Sequence, residues 1–282
     1  MTSLRVERAG ALTTVQDRGR RGLAHLGVPR AGPLDVPAAE FANRLVGNDP
    51  DAALLEVTWG GLELVADDGV WVAVTGAPVP LDADGAGRGC DRAEWLPAGA
   101  RLRLGAPRAG VRSYLAVAGG LAVEPVLGSR ATDTLAWVGP PRVEDGAELP
   151  VGEPAGPPAA VDTPRPRRAG PLRVRPGPRA DWFAADALER LCAASYVVGE
   201  ASNRVGLRLD GPAPERRRDE ELPSEGMVLG AVQVPPGGQP VVLLADHPAT
   251  GGYPVLAVVH PDDLWQCAQL RPGEELRFVR DA

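Results

Sequence analysis

Glycine and proline interrupt this chain so often that they limit which elements it can form. The 282 residues include 35 Gly and 30 Pro, which end helices and favour tight turns. Between them lie short Val- and Leu-rich runs, at 70–74, 101–104, 114–117, 172–174, 241–244 and 276–279. Several of these runs alternate or are uniformly apolar, as half-buried and buried strands do. The pattern predicts a mainly β protein with a few helices, arranged as a barrel or a sandwich.

Three segments carry helix signals. Residues 35–46 begin with an Asp that can cap a helix and end before Gly47. Residues 182–194 are amphipathic and follow Asp181, a second candidate cap. Residues 261–270 open with Pro-Asp-Asp and stop before a Pro-Gly pair, which predicts a short helix.

The sequence also suggests a division into domains. Residues 151–170 are rich in Pro, Ala and Arg and have no apolar period, which is typical of a linker or an exposed loop. We therefore expect a β-rich N-terminal domain over residues 1–150 and a β/α domain over residues 171–282.

Missing residue types exclude several kinds of chemistry. All 30 basic residues are Arg, so the chain offers no Walker lysine, no Schiff-base lysine and no attachment point for biotin. Cys90, Cys192 and Cys267 are far apart, and the three His form no metal-binding spacing, so we expect no metal site. The net charge of −7 argues against nucleic-acid and anionic-membrane partners. Without a visible signal or spanning segment, we expect a cytoplasmic protein.

The segment 13–33 holds the first cluster of candidate site residues. Gln16, Asp17 and Arg20 lie there among glycines that allow close backbone approach. The Arg guanidinium offers paired donors to a carboxylate or phosphate. A solvated turn at a strand edge explains the same residues equally well.

The segment 224–254 holds the second cluster. Two strand-like runs, 227–234 and 240–245, are joined by a Pro-Pro-Gly-Gly turn, which predicts a hairpin. Polar groups gather at its ends: Glu225, Gln233, Asp246, Thr250 and Tyr253. We interpret them as one wall of a small-molecule site, with a solvated hairpin as the alternative.

Two further places hold polar residues whose role depends on the side they face. Asn203 and Arg204 lie in a predicted turn before an alternating strand. Arg204 can either bind an anion there or form structural hydrogen bonds. Glu56 lies among apolar residues. If it faces inward, it must be paired, and Arg is the expected partner.

Five segments together resemble one known family. They are TTVQDRGRRGLAHLGVPRAGPLD, LLEVTWGG, the pair YLAVAGGL and VLGSRAT, ASNRVGLRLDGP, and SEGMVLGAVQVPPGGQPVVLLADHPATGGYP. In this order and spacing they are similar to the biotin-dependent carboxyltransferase-like family. That family includes the C-type subunits of 5-oxoprolinase, the KipA proteins and proteins called allophanate hydrolase subunit 2. The resemblance runs from about residue 4 to residue 279.

The resemblance implies cyclophilin-like β-barrel units and an ATP-dependent 5-oxoprolinase. The implied partners are the KipI-like B-type subunit and the A-type subunit of that enzyme. A small cyclic amide, 5-oxo-L-proline, is opened to L-glutamate. ATP is then expected at the level of the complex, with no covalent biotin on this chain. The alternatives are a biotin-dependent carboxyltransferase component acting on urea-like amides, and a KipA-like regulatory binding protein.

The resemblance also suggests roles for the candidate residues. Arg20 and Arg204 are expected to bind anions, and Gln16, Asn203 and Gln233 to hold the amide. Asp17, Glu225 and Asp246 are the acid/base candidates, with Thr250 and Tyr253 as donors. The chain departs from the usual pattern at His247-Pro248, where relatives usually have Arg-Gln.

Overall fold

The structure is a computed structural model that describes residues 2–158, 168–218, 220 and 222–281. The chain forms two compact units. The first unit comprises Met1–Arg20, Ala31–Asp133 and Trp137–Arg165, and the second comprises Arg21–Arg30, Thr134–Ala136 and Pro166–Ala282. Two short segments within the first 150 residues thus group with the second unit, which composition did not indicate.

The first unit contains eleven of the described strands and one α-helix. The strands are β1 (Ser3–Arg8), β2 (Leu12–Gln16), β3 (Leu54–Thr58), β4 (Glu63–Ala66), β5 (Val70–Gly76), β6 (Leu81–Ala83), β7 (Ala86–Arg88), β8 (Ala93–Leu96), β9 (Arg101–Leu104), β10 (Arg112–Val117) and β11 (Glu148–Pro150). The helix is α1 (Val36–Leu45).

These strands build two sheets around a shared core. One sheet has the order β11-β1-β4-β9-β6-β7, and the other has the order β2-β3-β10-β5-β8. Leu64 and Leu102 from the first sheet and Val57, Val72 and Leu115 from the second belong to the same buried cluster. The first unit is therefore a sandwich, as expected for strands with one apolar face.

Helix α1 covers the outer face of the second sheet. Phe41 and Leu45 of the helix pack against Tyr114 and Ala116 of β10, which explains why β10 is buried on both faces. The predicted cap is confirmed, because the Asp35 carboxylate accepts the Ala38 N–H at 3.0 Å. Gly47 follows the helix with a φ of 77°, in the left-handed region that suits glycine.

The second unit contains the other nine described strands. They are β12 (Leu172–Pro176), β13 (Ser195–Val198), β14 (Gly206–Asp210), β15 (Glu225–Gly226), β16 (Ala231–Gln233), β17 (Val241–Leu243), β18 (Thr250–Gly251), β19 (Val255–Val259) and β20 (Glu275–Arg280).

Seven of them close into a barrel in the order β12-β19-β16-β17-β14-β13-β20. The predicted hairpin is confirmed as β16 paired antiparallel with β17. A parallel pairing of β12 with β20, from Leu172 opposite Phe278, completes the circle. The remaining two strands, β15 and β18, pair with each other. The mainly β fold with a closed barrel confirms the predicted fold class.

The helices of the second unit are shorter than predicted. Helix α2 spans Ala187–Ala193, so the predicted start at residue 182 is wrong. A 3₁₀ turn covers Ala180–Trp182, and Phe183 is extended and 1% exposed. Burial of this aromatic residue therefore competes successfully with the local helical pattern. In the C-terminal segment, a 3₁₀ turn at Pro261–Asp263 leads into α3 (Leu264–Cys267).

The predicted linker begins with ordered structure. Val151 is buried and forms a β-bridge with Leu121 of the first unit, so residues 151–152 belong to that unit rather than to a loop. Residues 159–167 of the predicted linker lie outside the described residues. Among the helices described, none has both the length and the apolar character needed to cross a membrane.

Candidate functional site

Two predicted site residues of the second unit, Arg204 and Asp246, form a buried ion pair. Arg204 donates from Nε to Oδ2 of Asp246 at 2.8 Å and from Nη2 to Oδ1 at 2.9 Å. The two side chains are 1% and 0% exposed. This two-point geometry matches the guanidinium fork to the carboxylate. The predicted anion-binding Arg and the predicted acid/base are thus bound to each other.

Strand register brings this pair together. Gly206 of β14 lies opposite Leu243 of β17, so the residues before β14 run beside those after β17. The ladder continues past both strands, with the Leu244 N–H donating to Val205 O and the Asp246 N–H to Arg204 O. The two side chains leave neighbouring backbone positions and meet.

Thr134 also donates to the Asp246 carboxylate. Its backbone N–H and its hydroxyl lie 2.9 Å and 2.7 Å from Oδ2. Asp246 therefore accepts at least four hydrogen bonds when those from Arg204 are included. The cost of burying this carboxylate is offset inside the second unit.

The predicted site residues at the other end of the hairpin form a second group. Glu225 lies opposite Gly251 in the β15–β18 pair, and its carboxylate forms an ion pair with Arg179. Gln233 donates from Nε2 to the carbonyl of Tyr253 at 3.1 Å. The structure thus brings Glu225, Gln233 and Tyr253 to the same short pair of strands.

Gly251 makes this grouping possible. A Cβ at this position would lie 3.0 Å from Nε2 of Gln233 and 3.1 Å from Cγ of Met227. A larger residue would push the amide away from the strand. The groups that approach this glycine are side chains of the protein, those of Gln233 and Met227.

Thr250 and Tyr253 are exposed, whereas Asn203 has a local structural contact. Tyr253 is 44% exposed. Asn203 accepts the N–H groups of Val205 and Gly206 on its side-chain oxygen, at 2.8 and 3.2 Å. It therefore shapes the turn that leads into β14.

Gln16 and Asp17 of the first unit brace the loop at residues 126–132. Gln16 is fully buried and donates to Thr14 Oγ1 and to the carbonyl of Thr132, both at 2.9 Å. Asp17 accepts the Ser129 hydroxyl at 2.5 Å and the Arg130 N–H at 2.6 Å. Both side chains lie where β2 ends, and both are hydrogen-bonded to other groups of the protein.

Arg20 holds the same loop by a different kind of contact. It is 3% exposed and donates from Nε to the carbonyl of Val126 at 3.0 Å and from Nη2 to that of Ala131 at 2.5 Å. Gly139 lies against it with a φ of 110°, and a Cβ there would come within 2.3 Å of Nη2. Within its unit, Arg20 therefore positions the backbone of this loop. Its role in binding an anion stays a prediction, as do the other predicted catalytic and binding roles.

Glu56 faces inward and confirms the expected pairing with Arg. It is 1% exposed, with Arg112 Nε at 3.5 Å from its Oε1. Tyr114 donates its hydroxyl to Oε2 of Glu56 at 2.9 Å, and the same oxygen accepts the Leu34 N–H at 3.0 Å. Burial, followed by the negative charge of Glu56, raises the pKa of Tyr114 well above its usual range.

Sequence reasoning missed several partners of these groups, namely Arg112, Tyr114, Thr134 and Arg179. Each lies far along the chain from the residue that it contacts, so no local spacing marks it. An acidic residue within an apolar run, as at Glu56, is the one sequence signal that predicted such a partner. In the part of the chain that the structure describes, no group of three or more His, Cys, Asp or Glu side chains could hold a metal ion.

Comparison with known proteins gives the family. Residues 26–280 match the model of the carboxyltransferase domain, subdomains A and B. The chain belongs to this family. Among the relatives of this carboxyltransferase domain is the C-type subunit of 5-oxoprolinase from Escherichia coli strain K12. It is 39% identical over 98% of this chain and 91% of its own length.

Solved structures of relatives have the same fold as this carboxyltransferase domain. One crystal structure of TTHA0988 is 40% identical with a TM-score of 0.89, and the match covers 99% of this chain and 55% of that one. The urea amidolyase of K. lactis is 29% identical with a TM-score of 0.90, over 99% of this chain and 19% of that one. The chain therefore spans about half of TTHA0988 and a fifth of the amidolyase.

Proposed function

We propose that this carboxyltransferase domain is the C-type subunit of an ATP-dependent 5-oxoprolinase. It would act with a KipI-like B-type subunit and with an A-type subunit to open 5-oxo-L-proline to L-glutamate. The observation that carries this proposal is the match to the corresponding 5-oxoprolinase chain of E. coli, which extends over nearly the whole length of both proteins. The larger relatives match this chain over only part of their length.

The group beside the β15–β18 pair supports a cyclic amide as substrate. Nε2 of Gln233 is already bound to Tyr253 O, so its amide oxygen is the group that it can offer to a substrate N–H. The exposed Tyr253 hydroxyl can donate to a carbonyl oxygen. The Glu225 carboxylate, held by Arg179, can accept or return a proton at the ring nitrogen.

ATP is expected to drive the reaction, since a lactam is a resonance-stabilised amide that opens slowly in water. When bound by the complex, ATP supplies the activation of the lactam carbonyl. Arg20 and Arg204 do not fit a triphosphate site, because both guanidinium groups are engaged inside their own units.

Reconstitution tests this function. The chain is purified with its B-type and A-type partners, and glutamate release from 5-oxoproline is followed with ATP and without biotin. We expect turnover, and we expect Glu225→Gln to lower kcat roughly tenfold or more, because it removes the proposed acid/base. Glu189→Gln, an exposed acid on α2, is the matched control and should keep full activity. No glutamate release by the complete complex would contradict the proposal.

A second candidate is a biotin-dependent carboxyltransferase component acting on urea-like amides. The family description and the fold shared with the K. lactis urea amidolyase favour it. A carrier protein would have to bring biotin, because this chain has no Lys. Biotin-dependent bicarbonate consumption in the same preparation, without glutamate release, would support this candidate over the first.

A further inference from the structure

The proposed substrate needs a cationic partner that the predicted anion-binding residues do not supply. 5-Oxo-L-proline carries a carboxylate on the carbon next to its ring nitrogen. Arg20 and Arg204, which were predicted to bind anions, donate to groups inside their own units. Arg179 is a further arginine of the second unit, and it is in direct contact with the proposed acid/base Glu225.

Arg179 holds Glu225 by one edge of its guanidinium group. Nε donates to Oε2 of Glu225 at 3.0 Å, and Nη2 contacts Oε1. The third nitrogen, Nη1, is neither buried nor hydrogen-bonded to any of the described residues. Nη1 and Nη2 each carry two N–H groups, so they form a second forked edge. Such an edge matches the two oxygens of a carboxylate.

The backbone around Arg179 is fixed against strand β19. The Gly177 N–H donates to Leu256 O at 2.8 Å, and the Arg179 N–H donates to Val255 O at 3.2 Å. A Cβ at Gly177 would overlap the carbonyl of Val255, so this close approach requires glycine. Strand β19 begins just after Tyr253 and Pro254. The barrel therefore sets the position of Arg179 beside the segment that contains Tyr253.

Glu225 shares one face of the β15–β18 pair with the amide of Gln233. Glu225 lies opposite Gly251, and side chains at opposed positions of an antiparallel pair point to the same face. On that face, the Gln233 amide and the Met227 side chain lie against Gly251. Met227 and Gln233 are 9% and 8% exposed. The face thus combines an ion pair, a buried amide and an apolar side chain, which suits a small ring with polar groups at one end.

We propose, building on the function proposed above, that Arg179 binds the carboxylate of 5-oxo-L-proline through Nη1 and Nη2. Glu225, at the neighbouring edge of the same guanidinium group, would accept the ring N–H. The ion pair offers an acceptor and a donor side by side, and the substrate has its N–H and its carboxylate on adjacent ring atoms. Urea-like amides have no carboxylate. The pair therefore selects cyclic amides that derive from an amino acid.

The test compares the acid with its neutral amide. The complex of this chain with its B-type and A-type partners is titrated calorimetrically, without ATP, with 5-oxo-L-proline and with 5-oxo-L-prolinamide. We expect the wild-type complex to bind the acid roughly tenfold or more tightly than the amide, because the guanidinium group makes a stronger hydrogen bond to a charged acceptor. Arg179→Gln should lose this preference and should still bind the amide, which reports that the site is folded.

The matched control is Arg175→Gln. Arg175 is an exposed arginine of β12 that pairs with Asp281, and its replacement should leave both Kd values unchanged. Equal binding of acid and amide by the wild type, or an Arg179→Gln variant that keeps the preference, would overturn the proposal. An equal loss of affinity for both ligands in Arg179→Gln would also overturn it, because Arg179 would then act only through Glu225.

Glutamate release measured on the same wild-type complex separates this proposal from the proposed function. Glutamate release by a complex that binds acid and amide equally would refute only the carboxylate contact. A preference for the acid that depends on Arg179, without any glutamate release in the presence of ATP, would refute only the proposed reaction.

Discussion

Arg20 of the first unit and Arg204 of the second unit are both buried, and they bind different kinds of partner. In the first unit, Arg20 donates to backbone carbonyls of one loop. In the second unit, Arg204 donates to a carboxylate that is itself fully buried. Carbonyl contacts position backbone, whereas the carboxylate contact neutralises charge. The sequence around a buried arginine therefore does not show which of these two tasks the arginine performs.

The largest effect is expected from breaking the pair in the second unit. Arg204→Met leaves the Asp246 carboxylate buried without its main partner, which should cost about 3–5 kcal/mol of unfolding free energy. The double variant Arg204→Met with Asp246→Leu should lose much less than the sum of the single variants. Urea denaturation of the four proteins gives the cycle, with Arg208→Met as an exposed control. Additive losses would show that the two side chains are not coupled.

A smaller and more local effect is expected from Arg20→Met in the first unit. Hydrogen bonds to main-chain carbonyls are lost there, which should cost about 1–3 kcal/mol. The loss should appear as faster amide hydrogen exchange at Ser129 and Ala131, whose loop Arg20 holds. Arg18→Met, an exposed neighbour that pairs with Asp51, is the control. Unchanged exchange in the loop would refute the positioning role.

The smallest effect should come from pH, and it belongs to the second unit. All three histidines, His25, His247 and His260, lie in that unit. The pKa of His247 in the folded chain lies below its ordinary value of 6.5. As pH falls below that value, His247 binds a proton in the unfolded chain more readily than in the folded chain. The free energy of unfolding therefore decreases. Unfolding measured at pH about 7.5 and about 5.5 should show a smaller decrease for His247→Gln. An equal decrease in both proteins would exclude this histidine as the cause.

Local patterns predicted most of the elements. Val70–Gly76 and Arg101–Leu104 are strands because their apolar alternation matches a half-buried sheet. Helix α1 was predicted because its capping Asp and the Gly that follows it are local signals. The start of α2 was predicted wrongly because Phe183 is extended and forms a β-bridge with Arg216, a contact far along the chain that the local pattern does not show.

The partners at the candidate site could not be predicted in the same way. Arg204 and Asp246 are 42 positions apart, and only the register of β14 against β17 makes them neighbours. Asp17 and Ser129 are separated by 112 positions. Residue type marked Arg204, Asp246 and Asp17 as candidates for binding or acid/base roles, but it did not indicate that they bind other groups of the protein. Which partner each one has is set by non-local strand pairing, which composition and spacing do not encode.

The closure of the barrel has a consequence for synthesis of the chain. Strand β20 pairs with β12 on one side and with β13 on the other, so both of these strands keep an open edge until it arrives. During translation, β20 is the last barrel strand to leave the ribosome. Until then, the other six strands can form only an open sheet with two unpaired edges, at β12 and β13. This open sheet is the form most prone to pair with another nascent chain.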